Sequence, residues 1–83
     1  MAYETLTLGE LIRRKRRERG LLQKFVAQRS GLTNSQLSRF ENDKAEPSVK
    51  SLVLIGWALG IPLDDLFRLS AHLEGYGPEE VEA

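Results

Sequence analysis

Apolar side chains recur at intervals of three and four residues along this chain, and no stretch sustains the alternation of an amphipathic strand. The pattern predicts five helices. We expect them over residues 7–19, 23–30, 34–42, 49–59 and 63–73. Gly20, Gly31 and Gly60 follow three of these segments, and a glycine commonly ends a helix. The sequence therefore favours an all-α fold.

The 83 residues suffice for one small domain. We assign it to residues 7–73, with residues 1–6 as an arm and residues 74–83 as an acidic, disordered tail. The apolar stripes of the first four helices predict the core. Its expected members are Leu8, Leu11, Ile12, Ala27, Leu37, Phe40, Val49, Leu52, Ile55, Gly56 and Leu59, with either Phe25 or Val26.

The turn between the second and third predicted helices is the most informative local feature. Gly31 ends one helix, and Thr33 caps the next only two residues later. Such a short glycine turn lets two helices meet at a steep angle, as in a helix-turn-helix. Thr33 and Gln36 also have the spacing of a capping box, so the third helix has a defined start.

The third helix has an unusual exposed face, made of short or planar hydrogen-bonding side chains. Its members are Asn34, Ser35, Gln36, Ser38 and Arg39. An ordinary surface helix would carry Glu and Lys at these positions, whereas side chains of this kind can recognise base edges.

Charge is divided between the two ends of the chain, although the net charge is zero. Residues 1–50 carry eleven basic and six acidic side chains, whereas residues 51–83 carry one and six. This asymmetry suggests one surface for a polyanion. The basic run at residues 13–17 could equally be a solvated helix face.

Several other classes of function have little support. The chain has no cysteine, and its single histidine, His72, is expected on the surface. With no glycine-rich phosphate loop and no metal-ligand cluster, we expect no enzymatic activity, cofactor, metal or small-molecule site. Asp64 and Asp65 suit the positive end of a helix dipole. No membrane span or signal peptide is evident, which fits a cytoplasmic location.

An ordered set of short motifs from Leu8 to Phe67 resembles the Cro/Xre family of phage-repressor-like helix-turn-helix domains. The matching pieces are Leu8-Gly9-Glu10-x-Ile12, Arg16-x-x-x-Gly20-Leu21-x-Gln23, Ala27, Gly31-Leu32-Thr33, Ser38-Arg39-Phe40-Glu41-Asn42, Pro47-Ser48, Leu52, Ala58-Leu59-Gly60-Ile61 and Leu63-Asp64-Asp65-Leu66-Phe67. The resemblance implies a five-helix DNA-binding domain with the helix-turn-helix at its second and third helices.

The resemblance also implies roles for individual residues. Arg16 and Glu41 match an ion pair that joins the first helix to the end of the third, although Arg16 could instead contact a phosphate. The expected base-reading residues are Asn34, Ser35, Gln36 and Arg39. The expected phosphate contacts are Gln23, Ser38, Asn42 and Lys44, with Lys24, Arg29 and Lys50 as weaker candidates. For each polar residue the alternative is an idle surface position.

Four positions depart from the family pattern. Leu22 replaces the polar cap of the second helix, and Asp43 replaces a glycine that often adopts a left-handed conformation. Leu54 and Trp57 replace polar residues on the fourth helix. They predict an exposed apolar ridge that Leu69 and Leu73 could extend. The alternative is that the fifth helix, or the tail through Tyr76 and Val81, covers Trp57.

These observations predict a transcriptional repressor that binds double-stranded DNA as a homodimer. Its third helix would enter the major groove of a roughly palindromic operator. The alternative is a protein-interaction module, such as an antitoxin-like accessory subunit, that docks a partner through Leu54 and Trp57.

Overall fold

Five helices make up most of residues 6–70, the part of the chain that the computed structural model describes. The helices are α1 Leu8–Glu18, α2 Gln23–Arg29, α3 Asn34–Glu41, α4 Val49–Leu59 and α5 Leu63–Leu69. No strand occurs within residues 6–70, so the predicted all-α fold is confirmed there. The predictions for residues 1–5, for His72 and Leu73 and for the tail at 74–83 lie outside the described residues.

Side-chain caps begin α1, α3 and α4 at the predicted residues. Thr7 and Glu10 form a reciprocal capping box at the start of α1, and Thr33 and Gln36 form another at α3. Ser48 caps α4 by accepting a hydrogen bond from a backbone amide of the first turn. Each cap binds an amide that lacks a partner within the helix, so these local signals fix three helix starts.

The turn between α2 and α3 has the geometry that its glycine predicts. Gly31 has φ +67°, and the Leu32 N–H donates to the Ala27 carbonyl at 2.8 Å. This bond closes the end of α2 and is typical of a helix that stops at a left-handed residue. Thr33 then starts α3 at once, which completes the helix-turn-helix.

One apolar core joins all five helices. Its buried members are Leu8, Leu11, Ile12, Val26, Ala27, Leu37, Leu52, Ile55, Leu59, Ile61 and Leu66. Of the two alternatives on α2, Val26 is buried and Phe25 is 41% exposed. Val49 was wrongly placed in the core, since it is 48% exposed. It is the first residue of α4, and helical side chains tilt towards the amino terminus, past the packed part of the helix.

The carboxyl-terminal end of α5 differs from the sequence prediction. The helix ends at Leu69, and Ser70 has an extended backbone with ψ 159°. The Ser70 hydroxyl donates to the Phe67 carbonyl at 3.1 Å. Serine can stabilise a helix end in this way, because its hydroxyl satisfies a carbonyl that a further turn would have used. The prediction that α5 continues beyond Leu69 is therefore wrong at Ser70.

Candidate nucleic-acid interface

The outer face of α3 presents the predicted base-reading side chains. Leu37 and Glu41 are buried on the inner side of the helix, whereas Asn34, Ser35, Gln36 and Arg39 are exposed. At about 100° per residue, Ser35 and Arg39 lie opposite the buried side. Ser38, assigned to phosphate, is half-buried on one flank.

Gln36 is both a predicted base reader and part of the α3 cap. Its side-chain Oε1 accepts the backbone N–H of Thr33 at 2.9 Å, and the backbone N–H of Gln36 donates to Thr33 Oγ1 at 3.0 Å. A bidentate contact with adenine would need both the oxygen and the amide nitrogen of the side chain. While the capping box is closed, one lone pair of Oε1 is occupied, and a base can reach only Nε2 and the remaining lone pair.

Arg16 and Glu41 form a bidentate ion pair between α1 and the end of α3. Arg16 Nε lies 2.7 Å from Glu41 Oε2, and Arg16 Nη2 lies 3.1 Å from Oε1. The Glu41 side chain is 1% exposed and that of Arg16 is 12% exposed. Arg16 Nη1 also donates to the Leu21 carbonyl at 2.9 Å. The pair therefore ties α3 to α1 and to the segment before α2.

Gln23, the first residue of α2, joins the same cluster. Its Nε2 donates to Glu41 Oε1 at 3.0 Å, a contact that the sequence did not predict. One amide hydrogen of this side chain remains for another acceptor. Leu22 provides no side-chain cap, so the first amides of α2 have no capping partner. The predicted phosphate contact of Gln23 is thus compatible with its bond to Glu41.

The loop after α3 is attached to α1 at two points. Asn42 Nδ2 donates to the Ser38 carbonyl at 2.8 Å, and Arg13 Nη1 donates to Asn42 Oδ1 at 3.2 Å. The next residue, Asp43, accepts hydrogen bonds from Thr7 Oγ1 at 2.6 Å and from the Gly9 N–H at 3.0 Å. Sequence reasoning missed both attachments.

Gly9 allows α1 to approach the end of α3. A Cβ atom at this position would lie 2.8 Å from the Glu41 carbonyl oxygen and 2.7 Å from Asp43 Oδ1, and it would also overlap the Phe40 carbonyl oxygen. Real Cβ atoms do not come this close to backbone oxygens. In the sequence, the only sign of this contact was a glycine, Gly9, two residues after the Thr7 cap.

The other cations assigned to phosphate lie on the surface. Lys24, Lys44 and Lys50 are exposed. The Arg29 guanidinium lies over the Phe25 ring, 4.7 Å from its centroid. This cation–π contact gives Arg29 a partner within α2 and covers part of an exposed ring.

The apolar surface of α4 runs in a different direction from the predicted ridge. Trp57 is 71% exposed, as expected. Leu54 and Leu69 are less exposed than predicted, because Leu54 is half-buried and Leu69 packs partly buried against the core. Val49, which is exposed, and Val53, which is half-buried like Leu54, precede Trp57 at intervals of four and continue the surface along α4. We call Val49, Val53, Leu54 and Trp57 the α4 patch.

No helix within residues 6–70 is long and apolar enough to cross a membrane. No group of three or more potential metal-binding side chains occurs in the same region.

The sequence model of a helix-turn-helix family matches residues 12–66, which include all of α2, α3 and α4. The chain belongs to this helix-turn-helix family. The predicted family resemblance is therefore confirmed, and the chain is a repressor-like DNA-binding domain rather than a member of an enzyme family.

Two similar proteins with curated names are helix-turn-helix or repressor proteins. The chain is 34% identical over 67 residues to the HTH-type transcriptional regulator PuuR of Escherichia coli. This match covers 81% of the chain and 36% of PuuR. It is 38% identical over 56 residues to the immunity repressor protein of Bacillus phage phi105, covering 68% of the chain and 39% of that repressor. The helix-turn-helix chain thus spans less than half the length of these relatives.

A solved structure supports the fold assignment. The DNA-binding domain of the P22 c2 repressor superposes with a TM-score of 0.72 at 29% identity, over 81% of this chain and 91% of that domain. The shared fold extends over nearly the whole of the phage domain. The predicted phage-repressor-like architecture is therefore confirmed for this helix-turn-helix chain.

Proposed function

We propose that this chain binds double-stranded DNA sequence-specifically, with α3 in the major groove, and acts as a transcriptional repressor. The observation that carries the proposal is the exposed polar face of α3. Its opposite side is fixed by the buried Arg16–Glu41 pair, so the face has a defined orientation. Preorganised donors and acceptors on a helix of this kind suit direct readout of base edges.

The α3 side chains suit different bases. Arg39 can donate two hydrogen bonds to guanine O6 and N7, and the Asn34 amide can pair with adenine. Ser35 can donate to or accept from a base edge. Gln36 completes the proposed base-reading set through its free Nε2.

Phosphate contacts would surround this face. Gln23 and Lys24 lie at the amino-terminal end of α2, and Lys44 lies in the loop after α3. Ser38 is the remaining candidate. Such contacts supply affinity that decreases with salt, whereas the base contacts supply specificity.

We further propose that the chain acts as a homodimer through the α4 patch. A tryptophan that is 71% exposed and flanked by apolar residues is typical of an interface. Two copies would bind half-sites about one helical turn, or ~34 Å, apart on a roughly palindromic operator.

Selection of binding sites from a random DNA pool tests these proposals together. We expect a motif with two inverted half-sites. A motif with one half-site would contradict the dimer but retain sequence-specific binding. If the selected pool stays random while the folded protein still binds DNA, the base-reading role of α3 is wrong.

The exposure of Trp57 also supports a second candidate function, in which the α4 patch docks a different protein. The chain would then be an antitoxin-like accessory subunit. Size measurement in solution separates the two candidates. A particle of twice the 9.4 kDa chain mass supports self-association, and a monomer that forms a defined complex only with a second protein supports docking.

A further inference from the structure

The basic run at residues 13–17 separates into different environments. Arg16 is paired with Glu41, and Lys15 lies 3.5 Å from Glu18. Arg14 and Arg17 are exposed, whereas Arg13 is half-buried and bonded to Asn42. The run is therefore not a uniform solvated face, and Arg13 is the member held beside the loop after α3.

The charge of Arg13 is not neutralised within residues 6–70. No carboxylate in that part of the chain lies within ion-pair distance of its guanidinium. Glu10, one turn earlier on α1, directs its carboxylate to the Thr7 N–H at 3.0 Å. The one described partner of Arg13 is the neutral amide of Asn42, so most of its N–H donors remain free.

The Asn42 side chain has less capacity for a phosphate than the sequence suggested. Its oxygen accepts from Arg13 and one of its amide hydrogens is donated to the Ser38 carbonyl. A single amide hydrogen remains. A guanidinium beside it offers several donors in a planar fork together with a full positive charge, which suits a phosphate far better.

We propose that Arg13 binds a DNA phosphate beside the loop after α3, and that Asn42 is a positioning residue that orients the Arg13 guanidinium. The proposal rests on the proposed DNA-binding function and adds a contact from α1 to it. Arg13 has a half-buried stem and a fixed neighbour, so less side-chain freedom is lost when it binds than for the exposed Arg14.

The test is the salt dependence of binding to a random-sequence DNA duplex, measured by fluorescence anisotropy. For Arg13→Gln we expect the slope of log K against log salt to decrease in magnitude by about 0.9, the value for one phosphate contact. Raising the salt from about 50 to 200 mM weakens binding of both proteins, and the fold-loss of affinity would then be about 3.5 times smaller for the variant than for the wild type. Arg13→Lys keeps the charge and should retain the wild-type slope.

Arg14→Gln is the matched control, because it removes the same charge from the neighbouring, exposed position on α1. We expect little change in its slope. Equal changes for Arg13→Gln and Arg14→Gln would indicate general electrostatic attraction and overturn the contact. An unchanged slope for Arg13→Gln would overturn it as well, while salt-dependent binding of the wild type would leave the proposed function intact. A folded wild type that binds no DNA would refute both.

The role of Asn42 requires a double mutant. If Asn42 acts through Arg13, the affinity of Arg13→Gln/Asn42→Ala for DNA at a fixed salt concentration should equal that of Arg13→Gln alone. Affinity is the measurement here because a neutral amide contact releases no counterion and so does not change the slope. A further loss of affinity would show that Asn42 contacts a phosphate itself, which would contradict the positioning role. Circular dichroism melts of each variant establish that the slopes and affinities are compared between folded proteins.

Discussion

Asp43 and Thr7 are joined by a 2.6 Å hydrogen bond across 36 residues of sequence. Asp43 is also the only non-glycine residue with positive φ, +57°, between residues 6 and 70. The unfavourable backbone conformation brings its carboxylate to Thr7 Oγ1 and the Gly9 N–H. The residue thus combines local strain with long-range hydrogen bonds that hold the loop after α3 on α1.

Substitutions at Asp43 should separate these two effects. Asp43→Ala loses the hydrogen bonds and keeps the strained φ, whereas Asp43→Gly loses the same bonds without the strain. We expect both to destabilise the fold, Asp43→Ala by about 1 kcal/mol more. Urea unfolding measures the difference. Equal stability of the two variants would show that the left-handed conformation costs nothing here.

The buried Arg16–Glu41 pair should show strong coupling in a double-mutant cycle. Glu41→Leu or Arg16→Met alone leaves one charge without its partner in a site from which water is excluded, and we expect a loss of about 3–5 kcal/mol. The double variant should lose much less than the sum. Guanidinium unfolding of the four proteins tests this, and additive losses would refute the coupling.

Ser30 carries the buried polar side-chain atom that lacks a hydrogen-bond partner within residues 6–70. It is 1% exposed and lies at the end of α2. Ser30→Ala removes a hydroxyl that lost its water on folding, so we expect unchanged or slightly higher stability, by up to about 1 kcal/mol. Ser48→Ala is the control and should cost about 1 kcal/mol, because it removes the α4 cap. Similar losses for both would indicate that Ser30 has a partner in solution.

The features that sequence predicted well are those set by neighbouring residues. The Thr33–Gln36 box and the Gly31 turn depend on side chains within four positions, so their chemistry is visible in the sequence. The Thr7–Asp43 bond joins residues that meet only after α1 packs against α3. No periodicity or cap signals such a contact.

Surface exposure was harder to predict than the helices. Val49 matches the spacing of the inward stripe, yet it lies at the open end of α4 and is exposed. Leu69 was expected to extend the exposed apolar ridge of Leu54 and Trp57, whereas it packs partly buried against the core near the end of α5. Gln36 shows the same limit in the candidate site, since one side chain matched two roles that compete for its oxygen.

Substitutions at Gln36 should separate its capping role from base recognition. Gln36→Glu retains a side-chain oxygen for the Thr33 N–H but has no donor for a base, whereas Gln36→Ala loses both. We expect the melting temperature to fall only for Gln36→Ala. Site selection should show an altered or relaxed base preference for both. Unchanged preference in both variants would restrict Gln36 to capping.

The proposed dimer makes Trp57 the most sensitive exposed position. In Trp57→Lys a charge would enter the α4 patch at an interface, and burying an unpaired charge is costly. Leu22→Lys is a matched control, because Leu22 is also 71% exposed but lies outside the patch. Sedimentation equilibrium should show dissociation for Trp57→Lys and a wild-type mass for Leu22→Lys. Because both side chains are exposed, neither variant should lose much stability as a folded monomer. If Trp57→Lys remains a dimer, a different surface joins the two copies, and the proposed interface through the α4 patch must be abandoned.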